Sequence, residues 1–394
     1  MHIVTILKDM RPRDPNEAHR ASTPLELLFD LASVIAIAAA ASGLHHAITE
    51  AHWADGILKF VLAFFAIWWA WMNYTWFASA YDNGDAVFRV ATIVIIGGAV
   101  TTAAGITLLL SSLDLSFVIA GYVIMRLPLS FLWFRAARGD PDRRSTGLRY
   151  AIGLLLVQCY WLGLLALPAL RENFMVVALG IGIIAELMLP VIAERHTNTP
   201  WHHEHIEERY GLLTIIVLGE VLLAATLSLK TGFTAEYNIA FVHIAMSAVA
   251  VTGAMWWLYF PGGRHLHSTK LNHALAWGYG HFLIFGAAAA VGAGFTVLID
   301  IVAGKAKVGI VIGDYAVGIP LALYMFGLWL VRDRHLLNGR GRHVLLAFAI
   351  LTLASLAIPI GLEGLAVLAV GAVIAREVAI RKYPASVALE GGLT

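Results

Sequence analysis

Charge is what this chain has least of. Asp, Glu, Lys and Arg make up 13% of its 394 residues, about half the share of an ordinary soluble domain. That deficit argues against a freely soluble globular protein. The formal net charge of +1 gives no footing for nucleic acid or another polyanion as a partner. Cysteine is scarcer still. Cys159 stands alone in an apolar run, so neither an intrachain disulfide nor a thiolate metal site is expected. No P-loop, GxSxG or HExxH motif occurs, which removes nucleotide-driven transport and the common hydrolases as first readings. The opening stretch MHIVTILKDMRPRDPNEAHR lacks the small-residue cleavage site of a secretory signal, and no linker, heptad run or low-complexity block divides the chain.

What stands in place of charge is apolar length. Hydrophobic residues make up 59% of the chain and its mean hydropathy is +0.77. A helix needs about 20 predominantly apolar residues to cross the hydrocarbon core. Twelve stretches qualify: 24–48, 57–79, 87–110, 116–136, 147–168, 174–194, 208–229, 238–260, 273–300, 308–331, 343–360 and 362–380. The last two are separated by a tight turn at Pro359-Ile360-Gly361. The expected fold is therefore all-α, a polytopic transmembrane helical bundle of about 12 helices whose first partner is the lipid bilayer.

The basic residues set its orientation. With the N-terminus inside, Lys59, Arg171, Lys230, Lys305 and Lys307 fall outside and Arg126 lies within a span. The other Lys and Arg collect in cytoplasmic segments, notably 135–149, 332–342 and 376–382. Positive-inside asymmetry of this kind requires an even number of spans and places both termini in the cytoplasm. The chain also repeats. A shift of 185 residues superposes Leu27-Leu28 on Leu212-Leu213, Ala39-Ala40 on Ala224-Ala225, Trp71 on Trp256 and Tyr74 on Tyr259. This predicts a cytoplasmic N-terminal segment at 1–22, two parallel six-helix repeats at 23–196 and 197–382, and a cytoplasmic tail at 383–394. Transporters are commonly built from such repeats, with a site near the bilayer midplane between them.

Ionisable residues inside spans are costly, on the order of 2.5–3.5 kcal/mol each at a helix centre, and so are informative. Asp30, Arg126, Glu186 and Glu220 are the candidates for a substrate or proton site, with an Asp30–Arg126 ion pair as the structural alternative. Glu26, in Thr23-Pro24-Leu25-Glu26, reads as a capping box. It lies one turn before Asp30, and two neighbouring carboxylates in a low dielectric disfavour double ionisation. His205, Glu208 and Arg209 share a helical face, and Gly219 beside Glu220 would permit close approach of a helix or ligand. In YDNGDAVFR, Asp85 and Arg89 at i, i+4 fit a local ion pair, and Asp82, Asp85 and Arg89 are gating candidates. His202, His203 and His205 lack fixed ligand spacing, so a solvated loop is expected there and no metal is assigned. Trp68, Trp69, Trp71, Trp76, Trp256 and Trp257 fit an interfacial belt, or less simply a stacking platform. His243 and His281 lie at unequal depths, which rules out bis-histidine haem. No cofactor is expected.

At these residues the sequence resembles the bacterial low temperature requirement A (LtrA) family of membrane proteins. The matching pieces are TPLELLFDLASVIAIA, YDNGDAVFR, GYVIMR, HIEERYGLLTIIVLGE, WWLYF and GHFLIFGAAAAVGAG, over about residues 20–295. The resemblance implies family positions at Glu26, Asp30, Asp82, Asp85, Arg89, Arg126, His205, Glu208, Arg209, Gly219 and Glu220. The chain departs from the family pattern at Ala32-Ser33 and at Val221. The resemblance implies a multi-pass bacterial inner-membrane protein but names no reaction. The expected function is a secondary transporter, possibly proton-coupled, for an unidentified small molecule or ion. The alternatives are a membrane-embedded lipid enzyme using His205, Glu208 and Arg209, and a non-transporting stress-adaptation factor.

Overall fold

The computed structural model describes residues 7–18, 20–234, 238–260, 270–358 and 360–383, and their regular elements are helical. Twelve α-helices of twelve residues or more follow one another: α1 (Pro24–Thr49), α2 (Trp53–Tyr81), α3 (Ala86–Ser112), α4 (Ser116–Gly139), α5 (Arg144–Ala166), α6 (Pro168–Glu194), α7 (His203–Thr234), α8 (Ile239–Tyr259), α9 (Leu271–Val302), α10 (Ile310–Leu328), α11 (Val344–Ser355) and α12 (Gly361–Lys382). Each overlaps one expected stretch. Ten, α1 to α10, are long and apolar enough to cross a membrane. The other two fall short for different reasons. At 12 residues α11 extends about 18 Å, well under a hydrocarbon core of about 30 Å. Helix α12 is long enough, but Glu363, Arg376 and Glu377 interrupt its apolar sequence. Pro359 of the expected turn lies outside the described residues, as do 1–6 and 384–394 of the two expected terminal segments.

Local chemistry fixes several helix ends. At α1 the Thr23 N–H donates to Glu26 Oε2 at 2.8 Å and the Glu26 N–H to Thr23 Oγ1 at 3.3 Å, the reciprocal bonds of a capping box. Asp85 caps α3, its carboxylate accepting from the Phe88 N–H at 2.7 Å.

By internal contacts the chain divides into two compact units. One comprises Met1–Ala40 and Leu62–Tyr210; the other comprises Ala41–Val61 and Gly211–Thr394. In the first unit α3 packs along α4, α4 along α5 and α5 along α6. Gly98 and Gly121 let α3 and α4 touch through their backbones. A β-carbon on either would lie 2.7 Å from the other's carbonyl oxygen. In the second unit α9 packs along α10 and α8 along α12. Helix α9 is the core of that unit, with 78% of its most apolar window buried. Its run AAAAVGAG offers small residues for close packing, and Gly294 abuts the α10 backbone at Ala316.

Candidate functional site

Asp30 and Arg209 form the centre of a buried polar cluster in the first unit. Each is the seventh residue of its helix, about 9 Å in from the end. Both are fully buried. Arg209 Nη2 donates to Asp30 Oδ1 at 2.5 Å, and the Trp71 indole N–H donates to the same oxygen at 2.7 Å. On the outer side Glu26 Oε1 lies 3.2 Å from His205 Nε2 and 4.0 Å from Arg209 Nη1. Trp71 also packs edge-on against Tyr210, with ring centroids 4.9 Å apart. Hydrogen-bonding capacity is left over: Asp30 Oδ2 and Arg209 Nε meet no partner among the described residues.

A second buried cluster joins α4 and α6. Arg126 Nη2 donates to Glu186 Oε2 at 3.2 Å, and Trp69 donates to that oxygen at 2.7 Å. The Trp161 indole donates to Glu186 Oε1 at 3.2 Å. The Arg126 guanidinium also sits 5.2 Å from the centroid of the Tyr122 ring, a cation–π distance. A crevice of about 60 Å³ borders Glu186, lined by Phe65, Leu115, Ile119, Tyr122 and Trp161.

The segment before α1 covers the end of this unit. Met10 is buried against the backbone at Gly139. The Arg13 amide donates to the Ala80 carbonyl at 2.9 Å, and its guanidinium donates to the Asp82 carbonyl at 3.1 Å. Arg20 donates to Ala78 O at 2.8 Å, His202 Nε2 lies 2.7 Å from Glu17 O, and the Ser22 N–H reaches the Glu208 carboxylate at 3.3 Å. Asp82 is buried here. Desolvation first, then the negative charge of Glu26, push its carboxyl up to about 6. Burial also opposes ionisation of Asp85, but the Arg135 guanidinium at 2.5 Å and the amides of Lys8 and Phe88 outweigh it and hold that carboxyl down to about 2.

These contacts revise several expectations. Asp30 pairs with Arg209 rather than Arg126, because α7 presents its guanidinium at the same depth in from the helix end. Arg126 is committed to Glu186. Asp85 pairs with Arg135 and caps α3, whereas Arg89 is exposed and makes no ion pair with a described residue. His202 and His205 are buried beneath the N-terminal segment rather than solvated. Trp68, Trp69 and Trp71 are core residues, not a belt; Trp256 and Trp257 are exposed, as a belt requires. Glu220, in the second unit, is half-buried and has no hydrogen-bond or ion-pair partner among the described residues. Gly219 faces outward with nothing near it. The close approach to Glu220 comes instead from Gly292 of α9, where an added β-carbon would lie 3.2 Å from Glu220 Cβ.

The second unit holds a charged group that the charge count had assigned to loop and tail. Asp333, on the π-helical turn Trp329–Asp333, accepts from Arg332 Nε at 2.7 Å and from Arg376 Nε at 2.9 Å. All three are buried. Arg332 also donates to Tyr259 O at 2.8 Å, and the Tyr259 hydroxyl lies 3.1 Å from His281 Nε2. The sequence carried one usable signal: Arg376 follows twelve uncharged residues, 364–375, inside the apolar stretch 362–380.

Ten span-length apolar helices, with buried ion pairs inside each of the two units, define a polytopic helical membrane protein. The model for bacterial low temperature requirement A protein (LtrA) matches residues 21–379, and the chain belongs to that family. An uncharacterized protein of Rhizobium meliloti (strain 1021) is 27% identical over 264 residues, covering 66% of this chain and 62% of that relative. No solved structure matches the chain.

Proposed function

We propose that this chain is a secondary carrier of the bacterial cytoplasmic membrane, and that Asp30, held by Arg209 and Trp71, is its proton-carrying group. One observation supports this above the others. Asp30 and Arg209 are fully buried and ion-paired, yet each keeps a polar atom without a partner among the described residues. A buried ion pair is a poor device for stability, since well-packed apolar residues often serve as well or better. Residues of this kind in a membrane interior mark ion and substrate pathways. The covering segment fits a gate on the cytoplasmic side, with Asp82, Asp85 and Glu208 as its anchors. The carrier reading keeps the two halves, 23–196 and 197–382, as a duplicated frame. Arg126–Glu186 and Glu220 are further substrate-site candidates.

The alternative of a lipid enzyme draws on the His205–Glu26 contact, which suits acid–base chemistry. Both side chains are fully buried, and this supports an internal relay over attack on a lipid.

The test is proton entry into proteoliposomes holding the full chain, followed with a trapped pH dye under an imposed pH gradient, with valinomycin and potassium balancing charge. Native vesicles are expected to acidify faster than empty ones, and Asp30→Asn to abolish the difference while melting normally. Equal rates in native, D30N and empty vesicles would refute the carrier reading.

A further inference from the structure

In the second unit a groove of about 510 Å³ runs between α8 and α12, a size typical of ligand sites, which span about 300–1,000 Å³. Two helical stripes wall it: Ala250, Gly253 and Trp257 on α8, and Val370, Ile374 and Arg381 on α12. The α8 wall recedes because its residues are small, and a β-carbon built on Gly253 would meet nothing within 4 Å. Ile374 and Trp257 are exposed, so the groove offers an apolar wall to a chain laid along it. From Val370 to Arg381 is about 16 Å of helix, roughly half of a hydrocarbon core of about 30 Å. The groove is one leaflet deep.

Its two ends differ. The Val370 end is apolar and the Arg381 end is basic. Arg381 and Lys382 are exposed there, and Gly341 seats against the next residue, where an added β-carbon would lie 3.1 Å from Tyr383 Cβ. That seat brings Arg340 and Arg342, both exposed, to the same end. None of the four makes an ion pair with a described residue, and the positive-inside asymmetry makes this end cytoplasmic. Glu377 also lines the groove. It accepts from the Trp257 indole at 3.2 Å and follows Arg376, whose buried cluster with Arg332 and Asp333 carries one net positive charge. Glu377 balances that cluster, which leaves Arg381 to act on the groove as an uncompensated cation.

We propose that this groove binds an anionic phospholipid of the cytoplasmic leaflet, one acyl chain lying between Gly253 and Ile374 and the phosphate held by Arg381 and Lys382. Basic pockets between helices on the cytoplasmic side suit anionic headgroups, and the apolar depth below this one matches a single leaflet. Arg340 and Arg342 add to the field that draws the headgroup in. Trp257 stands at the boundary between chain and headgroup, where indoles favour membrane interfaces. The site is independent of the proton-carrying group at Asp30.

The test is fluorescence quenching of the full chain in phosphatidylcholine vesicles that hold a rising fraction of chain-brominated phosphatidylglycerol or chain-brominated phosphatidylcholine. The Trp257 signal is the difference between the native chain and Trp257→Phe. Half-quenching is expected at a roughly tenfold lower fraction of the anionic lipid than of the zwitterionic one. The double variant Arg381→Gln with Lys382→Gln, at an exposed helix end, should melt normally and lose that preference. Gly253→Leu fills the open floor of the groove and should leave Trp257 poorly quenched by either lipid. Equal half-quenching by the two lipids in the native chain overturns the proposal and points to a zwitterionic occupant or none. A preference that survives in R381Q/K382Q, or quenching that is unchanged in G253L, overturns it as well.

Discussion

Trp69 and Trp71 lie two residues apart on α2, and each donates its indole N–H at 2.7 Å to a different buried carboxylate, Glu186 and Asp30 respectively. Two residues of helix turn the chain by about 200°, so the two donors leave from nearly opposite faces. Helix α2 is thus a partition with an ion pair on each side, Arg126–Glu186 on one and Asp30–Arg209 on the other. The sequence suggested one convergent site; the structure of this unit holds two.

Because the two tryptophans serve separate clusters, their losses should add. Trp69→Phe and Trp71→Phe each delete a hydrogen bond to a buried carboxylate, a change on the order of 1.5–3 kcal/mol. In a double-mutant cycle read by detergent-phase unfolding, the coupling should be within about 0.5 kcal/mol of zero. A larger coupling would mean that the clusters communicate through α2.

Arg209→Met leaves Asp30 without its ionic partner and is expected to destabilise by about 3–5 kcal/mol. The double variant Asp30→Leu with Arg209→Met should recover most of that stability yet carry no proton flux. Recovery of both stability and flux would show the pair to be structural only.

The buried triad of the second unit behaves differently, because Asp333 serves two arginines. Asp333→Asn removes the charge that offsets Arg332 and Arg376, and a loss of about 3–5 kcal/mol is expected. Arg376→Met leaves the Arg332–Asp333 pair intact and should cost clearly less. The order of the two melting temperatures is the measurement.

Asp82 gives the covering segment a pH dependence whose sign can be worked out. Its carboxyl titrates near 6 when folded against an ordinary 3.8, so its protonated form is the one the fold favours. That stabilisation is complete below 3.8 and disappears as the pH rises through about 6. The full swing is on the order of 3 kcal/mol. Asp85 has the opposite sign: held at about 2, it stabilises above 3.8 and loses that contribution as the pH falls toward 2. Asp82→Asn should therefore flatten the stability profile between pH 4 and 6 and leave the acid limb below it unchanged.

Gly139 touches the Met10 backbone so closely that a β-carbon there would overlap it. Gly139→Ala should lift the segment from Met10 to Arg13, where the Arg13 N–H is held by Ala80 O. Hydrogen–deuterium exchange at Arg13 is expected to rise about tenfold, with the α4 interior unchanged. Unaltered exchange would show that the cover is not seated through Met10.

Helix positions were legible because they follow from local chemistry and apolar length alone. Thr23-Pro24-Leu25-Glu26 specifies its capping box within four residues, and each of the twelve helices overlaps a stretch read from hydropathy. Charge pairing was not legible, because it depends on azimuth and depth across helices far apart in sequence. Asp30 and Arg209 are separated by 179 residues, and nothing local distinguishes Arg209 from Arg126 as its partner. Glu26 was readable as a cap but not as a neighbour of His205, for the same reason.

By itself the sequence determined that this protein lives in a bilayer, since a chain so poor in charge and so rich in long apolar runs must satisfy its backbone within helices. It also marked which ionisable groups bear a desolvation cost. Only the tertiary structure decided which charges offset one another, that three tryptophans belong to the core, and that Asp333 binds two arginines. Those outcomes depend on helix rotation and packing, set by small-residue contacts such as Gly98 with Gly121 that no single stretch of sequence encodes.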